Sequence, residues 1–331
     1  MINLIENVTK SGIEAVINRK PSKLRLGNET NLVDNYLAIT FRTPEGYTAE
    51  GAYCDSYGEQ KHVLALSTQV GCPMRCHFCE VADLPYCRSL DAQELEDEAV
   101  IIAQRAYANG FPLDDKPIKV AFVEMGEPFM NKGLFNGIEK ITRLFPATVK
   151  VSTTFPDHSI SYENAERMIH LSSIYNHPVQ MQLSLHSTDE DYRMSVCKFP
   201  LAGFSEIAKF GEKWRKYAKS PRKINLSLTL NRKTPCSPSG IANILDPEHF
   251  AVRLRNMLPT EPSRRNSLDE ISIEEILGLE DEFRRCGYDI IPGLSADVET
   301  KFNLNPGMLS KLEERGQQIA MPDNYTNGGL R

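Results

Sequence analysis

The amino-acid sequence predicts an α/β protein built on parallel strands, either closed as a barrel or open as a doubly wound sheet, with a β-hairpin ahead of it. Three observations lead there. Short β-branched and apolar runs alternate with longer amphipathic stretches through most of the chain. The first amphipathic stretch opens on Asp91-Ala92-Gln93-Glu94, a capping-box pattern with Asp as the cap, and closes at Gly110. Ahead of the alternation, the run at 36–41 and the segment at 51–54 flank a Gly-containing turn, Pro44-Glu45-Gly46, as the two arms of a hairpin do.

Taken in order, residues 1–35 read as a short helix, roughly 3–18, followed by a basic polar connector, too little for a separate folded module. After the hairpin the expected strands are 62–67, 118–125, 148–152, 179–185, 224–230, 251–258 and 288–291. Helical patterns fall near 91–109, 133–144, 161–175, 203–217 and 270–286. This order implies right-handed crossovers and puts any chemistry at the carboxyl ends of the strands. The polar runs 232–240, which holds two prolines and Cys236, and 258–267 read as loops suited to act as lids; 321–331 reads as a frayed tail. The expected organisation is an N-terminal helix and hairpin at 1–60, a barrel at 61–295, and a C-terminal lid or tail at 296–331.

With 331 residues, 41% of them apolar, the chain is long enough to bury a large core. Its net charge of −6 argues against the broad basic surface that sequence-independent phosphate binding needs. The pairs Arg253/Arg255 and Arg264/Arg265 read as solvated faces. No export signal and no long apolar span are present, so the sequence reads as a cytoplasmic protein without a membrane partner. Clustered thiols in a reducing compartment suggest metal rather than disulfides.

Three of the eight cysteines crowd into eight residues, Gly71-Cys72-Pro73-Met74-Arg75-Cys76-His77-Phe78-Cys79, just after a strand. With 8 cysteines in 331 residues, chance gives this C-x3-C-x2-C spacing only ~0.5% of the time. A structural zinc site would want a fourth ligand, and His77, wedged between two of the thiols, is poorly placed to be one. A four-iron cubane on Cys72, Cys76 and Cys79 leaves one iron without a protein ligand. That open iron can chelate S-adenosylmethionine (SAM), whose carbon–sulfur bond an injected electron then cleaves.

This spacing, with Phe78 before the last cysteine, resembles the radical SAM superfamily. Within it the chain is most similar to the RlmN/Cfr-type adenosine methyltransferases that act on 23S ribosomal RNA. The likeness runs over about residues 36–290. It is carried by Leu66-Ser67-Thr68-Gln69-Val70-Gly71-Cys72, Arg88-Ser89-Leu90-Asp91-Ala92-Gln93-Glu94, Glu124-Met125-Gly126-Glu127-Pro128-Phe129-Met130-Asn131, Val151-Ser152-Thr153-Thr154 and Leu183-Ser184-Leu185-His186-Ser187.

The resemblance implies a partial (β/α)6 TIM-like barrel holding a [4Fe-4S] cluster and SAM. Phe78 is then expected beside the adenine. Gly126-Glu127-Pro128 ends the second strand, offering a close backbone approach and a carboxylate for the SAM ammonium. Ser152 and Ser184, each an ordinary turn residue if met alone, end the third and fourth strands, where hydroxyls suit the ribose or carboxylate. His186 is expected to line the site, and Asn256 to reach the adenine. No residue is assigned a role as catalytic acid, base or nucleophile.

The departures bear on function. RNA-methylating members of that group use two further cysteines, one in the strand seven residues before the first cluster cysteine. Here that position is Ala65. The other belongs to a C-terminal loop, and no cysteine follows Cys286. Only about sixty residues precede the cluster strand, so that group's small RNA-binding domain is not expected. Cys54 and Cys87 are candidates for substrate-facing or auxiliary thiols and Cys197 and Cys236 fall on loops after strands, but the four are scattered and each taken singly reads as a small structural residue.

The expected activity is therefore hydrogen abstraction from a small-molecule or peptide substrate, with a low-potential electron donor such as flavodoxin or ferredoxin and with RNA disfavoured. The alternatives are RNA methylation by an altered route, using Cys286 or Cys87, and a non-catalytic iron–sulfur or SAM-binding protein.

Overall fold

The computed structural model describes residues 10–30, 35–56, 60–220, 222–293 and 306–315. Twelve strands are described: β1 (Arg25–Glu29), β2 (Tyr36–Arg42), β3 (Thr48–Ser56), β4 (Lys61–Leu66), β5 (Gln69–Val70), β6 (Arg88–Ser89), β7 (Ile118–Phe122), β8 (Ala147–Thr153), β9 (Val179–Ser184), β10 (Ile224–Leu230), β11 (Phe250–Asn256) and β12 (Asp289–Ile290). Ten of them form one sheet in the order β1-β2-β3-β4-β7-β8-β9-β10-β11-β12, while β5 and β6 pair as a small ribbon. From β4 onward every pairing in the large sheet is parallel; β1 to β4 pair antiparallel. This is the expected α/β architecture, a partial barrel of six parallel strands with a short seventh at its edge, and the hairpin continues the same sheet.

The helices are α1 (Lys10–Ile17), α2 (Ala92–Ala108), α3 (Leu134–Leu144), α4 (Ser159–Ile174), α5 (Glu190–Val196), α6 (Phe204–Tyr217), α7 (Pro238–Ala242), α8 (Glu261–Arg265), α9 (Ile273–Arg285) and α10 (Met308–Glu314). The capping box of α2 forms as the sequence indicates, with Asp91 receiving the Glu94 amide and Glu94 receiving the Asp91 amide. A second such box, Ser272 with Glu275, starts α9. Asp97 on α2 accepts the backbone amides of Ser22, Lys23 and Leu24 at 2.6 to 3.0 Å. Those three bonds tie the N-terminal segment to the barrel and satisfy a buried carboxylate.

Strand alternation divides the sheet into two unlike faces. Val120 and Phe122, Val149 and Val151, Met181 and Leu183, Leu226 and Leu228 join the apolar core under the helices. Their neighbours on the opposite face include Lys119, Lys150, Gln180, Gln182, Asn225 and Ser227, all buried. A parallel sheet covered by helices on both sides would be apolar on both. Here the second face is polar, as the inner wall of a binding site is.

Some elements differ from the sequence reading. Strand β1 replaces an expected connector; it pairs only with β2, and its side chains are mostly exposed, so no apolar alternation marks it. The segment 232–240 ends in α7, and 258–267 contains α8, both single turns seated by tertiary contacts. Of the expected 3–18 helix, residues 10–17 are described and are helical; the earlier part and the tail 321–331 lie outside the described residues. Among the described residues no helix is long and apolar enough to cross a membrane.

Candidate active site

The cysteine loop leaves the sheet at the carboxyl end of β4. Gly71 turns it with φ +73°, and a Cβ there would lie 2.1 Å from the Pro85 carbonyl oxygen, so only glycine fits. The ribbon of β5 and β6 closes behind it, fixed by a bidentate pair of 2.7 Å bonds from Arg88 to Glu94. The Cys79 amide donates to the Cys76 carbonyl at 3.0 Å and the Ala82 amide to the Cys79 carbonyl at 3.0 Å. On one side the loop packs Cys72 and Cys76 against Met74, Val196, Cys197 and Leu201. On the other it packs Cys72 and Cys79 against Val81, Leu84 and Met125.

All three thiols titrate high. Burial raises Cys72, and the neighbouring thiols add to it. The Cys197 side chain and then burial raise Cys76, while burial pushes Cys79 up to about 12. A bound metal would supply the charge that favours the thiolate form at so buried a site. Among the described residues, Glu80, Asp83 and Glu261 are the only His, Cys, Asp or Glu side chains that converge closely enough to share one ion. The loop's three cysteines and His77 do not. A spread of three thiols with apolar surroundings suits a multi-iron cluster better than a single zinc ion.

Beside the loop lies a cavity of about 220 Å³, lined by His77, Phe78, His186, Tyr192, Thr229, Asn231, Met257 and Leu268 among others. Phe78 meets His186 edge-on, ring centroids 4.9 Å apart. His186 holds a left-handed backbone at φ +66°, unusual outside glycine, and closely follows strand β9. Burial, with a smaller push from Arg193, lowers its pKa to about 3, so the ring is neutral. Its Nδ1 is buried and has no hydrogen-bond partner among the described residues. Ser152, near the end of β8, likewise buries an unpartnered Oγ. Ser184, the last residue of β9, is half-buried. Such unpaired buried polar atoms are what a polar cofactor would satisfy, and with the three thiols the residues present fit a [4Fe-4S] cluster with SAM.

Two expected contacts take a different form. Gly126 has φ +109°, and a Cβ there would press on Thr68 and Gln69, so its lack of a side chain serves a close approach to the chain's own β5 entry. The Glu127 carboxylate is turned inward: it accepts from the Phe129 amide at 2.9 Å, the Thr154 amide and hydroxyl at 2.8 Å each, and the Thr153 hydroxyl. It therefore braces the β7 and β8 ends, and a SAM ammonium would have to displace one of these donors. Pro128 opens the single 3-10 turn that follows. Asn256 ends β11 opposite Leu230 and is half-buried, but its neighbour Met257, not Asn256, lines the cavity.

Several site residues escape sequence reasoning. Arg193 on α5 is fully buried, donates to the Thr154 carbonyl at 2.7 Å and leaves two nitrogens unpartnered. Burial lowers its pKa to about 10. Nothing in a seven-residue helix marks one arginine as internal. Asn231, just after β10, donates to the Tyr192 hydroxyl at 3.0 Å and faces the cavity. The strand-end rule that singles out Ser152 and Ser184 applies to it equally. Ala65 on β4 sits in an apolar wall with Tyr36, Ala38 and Ala52, and Cys54 packs at its margin.

These features agree with the comparisons to known proteins. The family model of the Radical SAM superfamily matches residues 66–231, the stretch from the end of β4 to just past the end of β10. A Thermus thermophilus protein named probable dual-specificity RNA methyltransferase RlmN is 31% identical over 205 residues, covering 60% of this chain and 53% of that protein. A Gloeobacter violaceus protein of the same name is 24% identical over 242 residues, or 72% and 62% of the two chains. The chain thus spans about half the length of the first curated relatives it matches. The crystal structure of a radical SAM methyltransferase from Sphaerobacter thermophilus shares the fold at a TM-score of 0.67 and 20% identity, over 86% of this chain and 81% of that one. The cysteine loop at the head of a partial parallel barrel, the polar cavity beside it and a superfamily match over half the chain make this protein a member of the radical SAM superfamily, with homology to its RlmN-type methyltransferases.

Proposed function

We propose that this protein abstracts a hydrogen atom from a small-molecule or peptide substrate lying against the polar face of its sheet. When bound, the cluster and SAM supply the chemistry: an electron from a donor such as flavodoxin or ferredoxin splits SAM into methionine and a 5′-deoxyadenosyl radical. The chain's own residues bind, orient and keep out water. Phe78, Met257 and Leu268 give the cavity apolar surfaces for an adenine, and Thr229 and Asn231 give it polar edges. Arg193, with two unpartnered nitrogens in the interior, is suited to a carboxylate. The neutral His186 ring and the Ser152 hydroxyl supply further hydrogen-bonding atoms without adding charge.

One observation carries the choice of reaction. Ala65 stands where the RNA-methylating group has a cysteine, and it is buried in an apolar wall with Tyr36, Ala38 and Ala52, where the one neighbouring thiol among the described residues, Cys54, packs at the margin. Cys54 lies opposite Val63, displaced toward the start of β4. A methylation route that resolves a covalent link through that sulfur has no sulfur there.

RNA methyl transfer is the second reading. The names of its relatives favour it, as do Lys119 on β7 and Lys150 on β8 on the polar face, with Arg253 and Arg255 farther along the same sheet on β11. The two readings separate in RNA. We expect no 2-methyladenosine or 8-methyladenosine in cellular RNA to depend on the gene, and no S-adenosylhomocysteine to accompany SAM cleavage. A methyladenosine that disappears on deletion and returns with the gene, but not with its Cys76→Ala form, would establish methylation instead.

A further inference from the structure

Cys197 is buried, and its Sγ lies 3.1 Å from the Sγ of Cys76. Backbone bonds set this juxtaposition. The Lys198 amide donates to the Met74 carbonyl at 2.9 Å and the His77 amide to the Val196 carbonyl at 2.9 Å. The cysteine loop and the segment leaving α5 are thereby stitched together on both sides of the two thiols. Met74, Val196 and Leu201 pack around the pair. Among the described residues it is the one pair of cysteines joined sulfur to sulfur.

We propose that Cys197 is the reversible disulfide partner of Cys76, a modification site that caps this cluster ligand when iron is absent, with a peroxide as oxidant. This rests on the reading of Cys76 as a cluster ligand. The Cys76 sulfur attacks one peroxide oxygen, the O–O bond breaks, hydroxide leaves, and a sulfenic acid remains. The Cys197 thiolate attacks that sulfur, the S–O bond breaks, and the oxygen leaves as water once protonated. Two thiols have then lost two electrons and two protons, and one hydrogen peroxide has become two waters. A dithiol reverses the bond by exchange and returns Cys76 to iron. Without Cys197 no thiol among the described residues is in sulfur-to-sulfur contact with Cys76 to trap the sulfenic acid, and a second peroxide takes it to sulfinic acid, which a dithiol does not restore.

The test uses the full chain, stripped of metal by a chelator, given one equivalent of hydrogen peroxide, alkylated and mapped by mass spectrometry. The expected product links Cys76 to Cys197 in preference to any pair containing Cys72 or Cys79. After dithiothreitol, iron and sulfide, wild type should regain its full iron content. The variants Cys197→Ser and Cys197→Ala, which should load as wild type before oxidation, should regain severalfold less, with Cys76 found as sulfinic acid. A map dominated by links to Cys72 or Cys79, or variants that recover as wild type does, would overturn the proposal. Failure of unoxidised wild type to take up iron and sulfide would instead count against the cluster reading, while the peptide map still decides the disulfide.

Discussion

At His186 a single side chain combines a left-handed backbone, an unpartnered buried Nδ1 and an edge contact to Phe78. Its folded pKa of about 3 lies below the ordinary value of 6.5. As pH falls below 6.5 the unfolded chain binds a proton that the folded chain refuses until about 3, so the native state loses stability across that window. The slope approaches ~1.4 kcal/mol per pH unit for one proton. Thermal melts near pH 7 and near pH 5 should therefore converge for His186→Gln relative to wild type; parallel losses in both proteins would show that His186 is not held neutral. At Lys311 the ammonium meets Glu80 and, at 2.9 Å, Asp83, with Lys311 and Glu80 both buried. Replacing Lys311 by Met strands the Glu80 charge beside Cys79, at a cost of about 3 kcal/mol. Urea melts of the cluster-free chain should show it, and Glu80→Gln in the same background should recover part of the loss.

At the level of elements, the strongest local constraint is the turn into the cysteine loop. Gly71→Ala must either move the β5–β6 ribbon or force its φ out of the left-handed region. We expect lower iron and sulfide uptake and more than ~1 kcal/mol of lost stability, read by metal analysis and by melts. Unchanged uptake would mean that the ribbon yields freely. The long helices and parallel strands are legible in the sequence because each covers a continuous apolar face, as Leu95, Ala99 and Ile102 on α2 and Val149 and Val151 on β8 do. Strand β1 is not, since its side chains mostly face solvent and it is ordered by pairing to β2 and by the Glu29–Arg105 ion pair to α2. The short helices α5, α7 and α8 are too brief to carry a period, and their own caps and neighbours hold them. The same limit hides Arg193 and the opposition of Cys197 to Cys76, which sit 121 residues apart along the chain. Cys72, Cys76 and Cys79 are legible for the opposite reason: their spacing is local, and the chemistry it implies needs no distant partner.

Across the molecule, one sheet joins an apolar layer under the helices to a polar face, and the cysteine loop closes over the carboxyl ends of its strands. The C-terminal helix α10 reaches this region too. The Gly307 amide donates to Glu50 on β3 at 2.7 Å, and Lys311 reaches the turn that follows Cys79. The cluster site is thus tied to the antiparallel extension as well as to the barrel, and substitutions at Glu50 should weaken iron uptake without touching a ligand. Glu50→Gln, compared with wild type for iron per chain after identical loading, checks this; equal iron would confine the coupling to packing. The proposed function requires Cys72, Cys76 and Cys79 to hold a cluster that cleaves SAM reductively. The most direct measurement is anaerobic loading with iron and sulfide, reduction, and addition of SAM, followed by mass spectrometry of the products beside a Cys76→Ala control. We expect 5′-deoxyadenosine and methionine from the loaded protein, both lost in the control. A loaded and reduced protein that leaves SAM intact, or a Cys76→Ala protein that cleaves it as well as wild type, would contradict it.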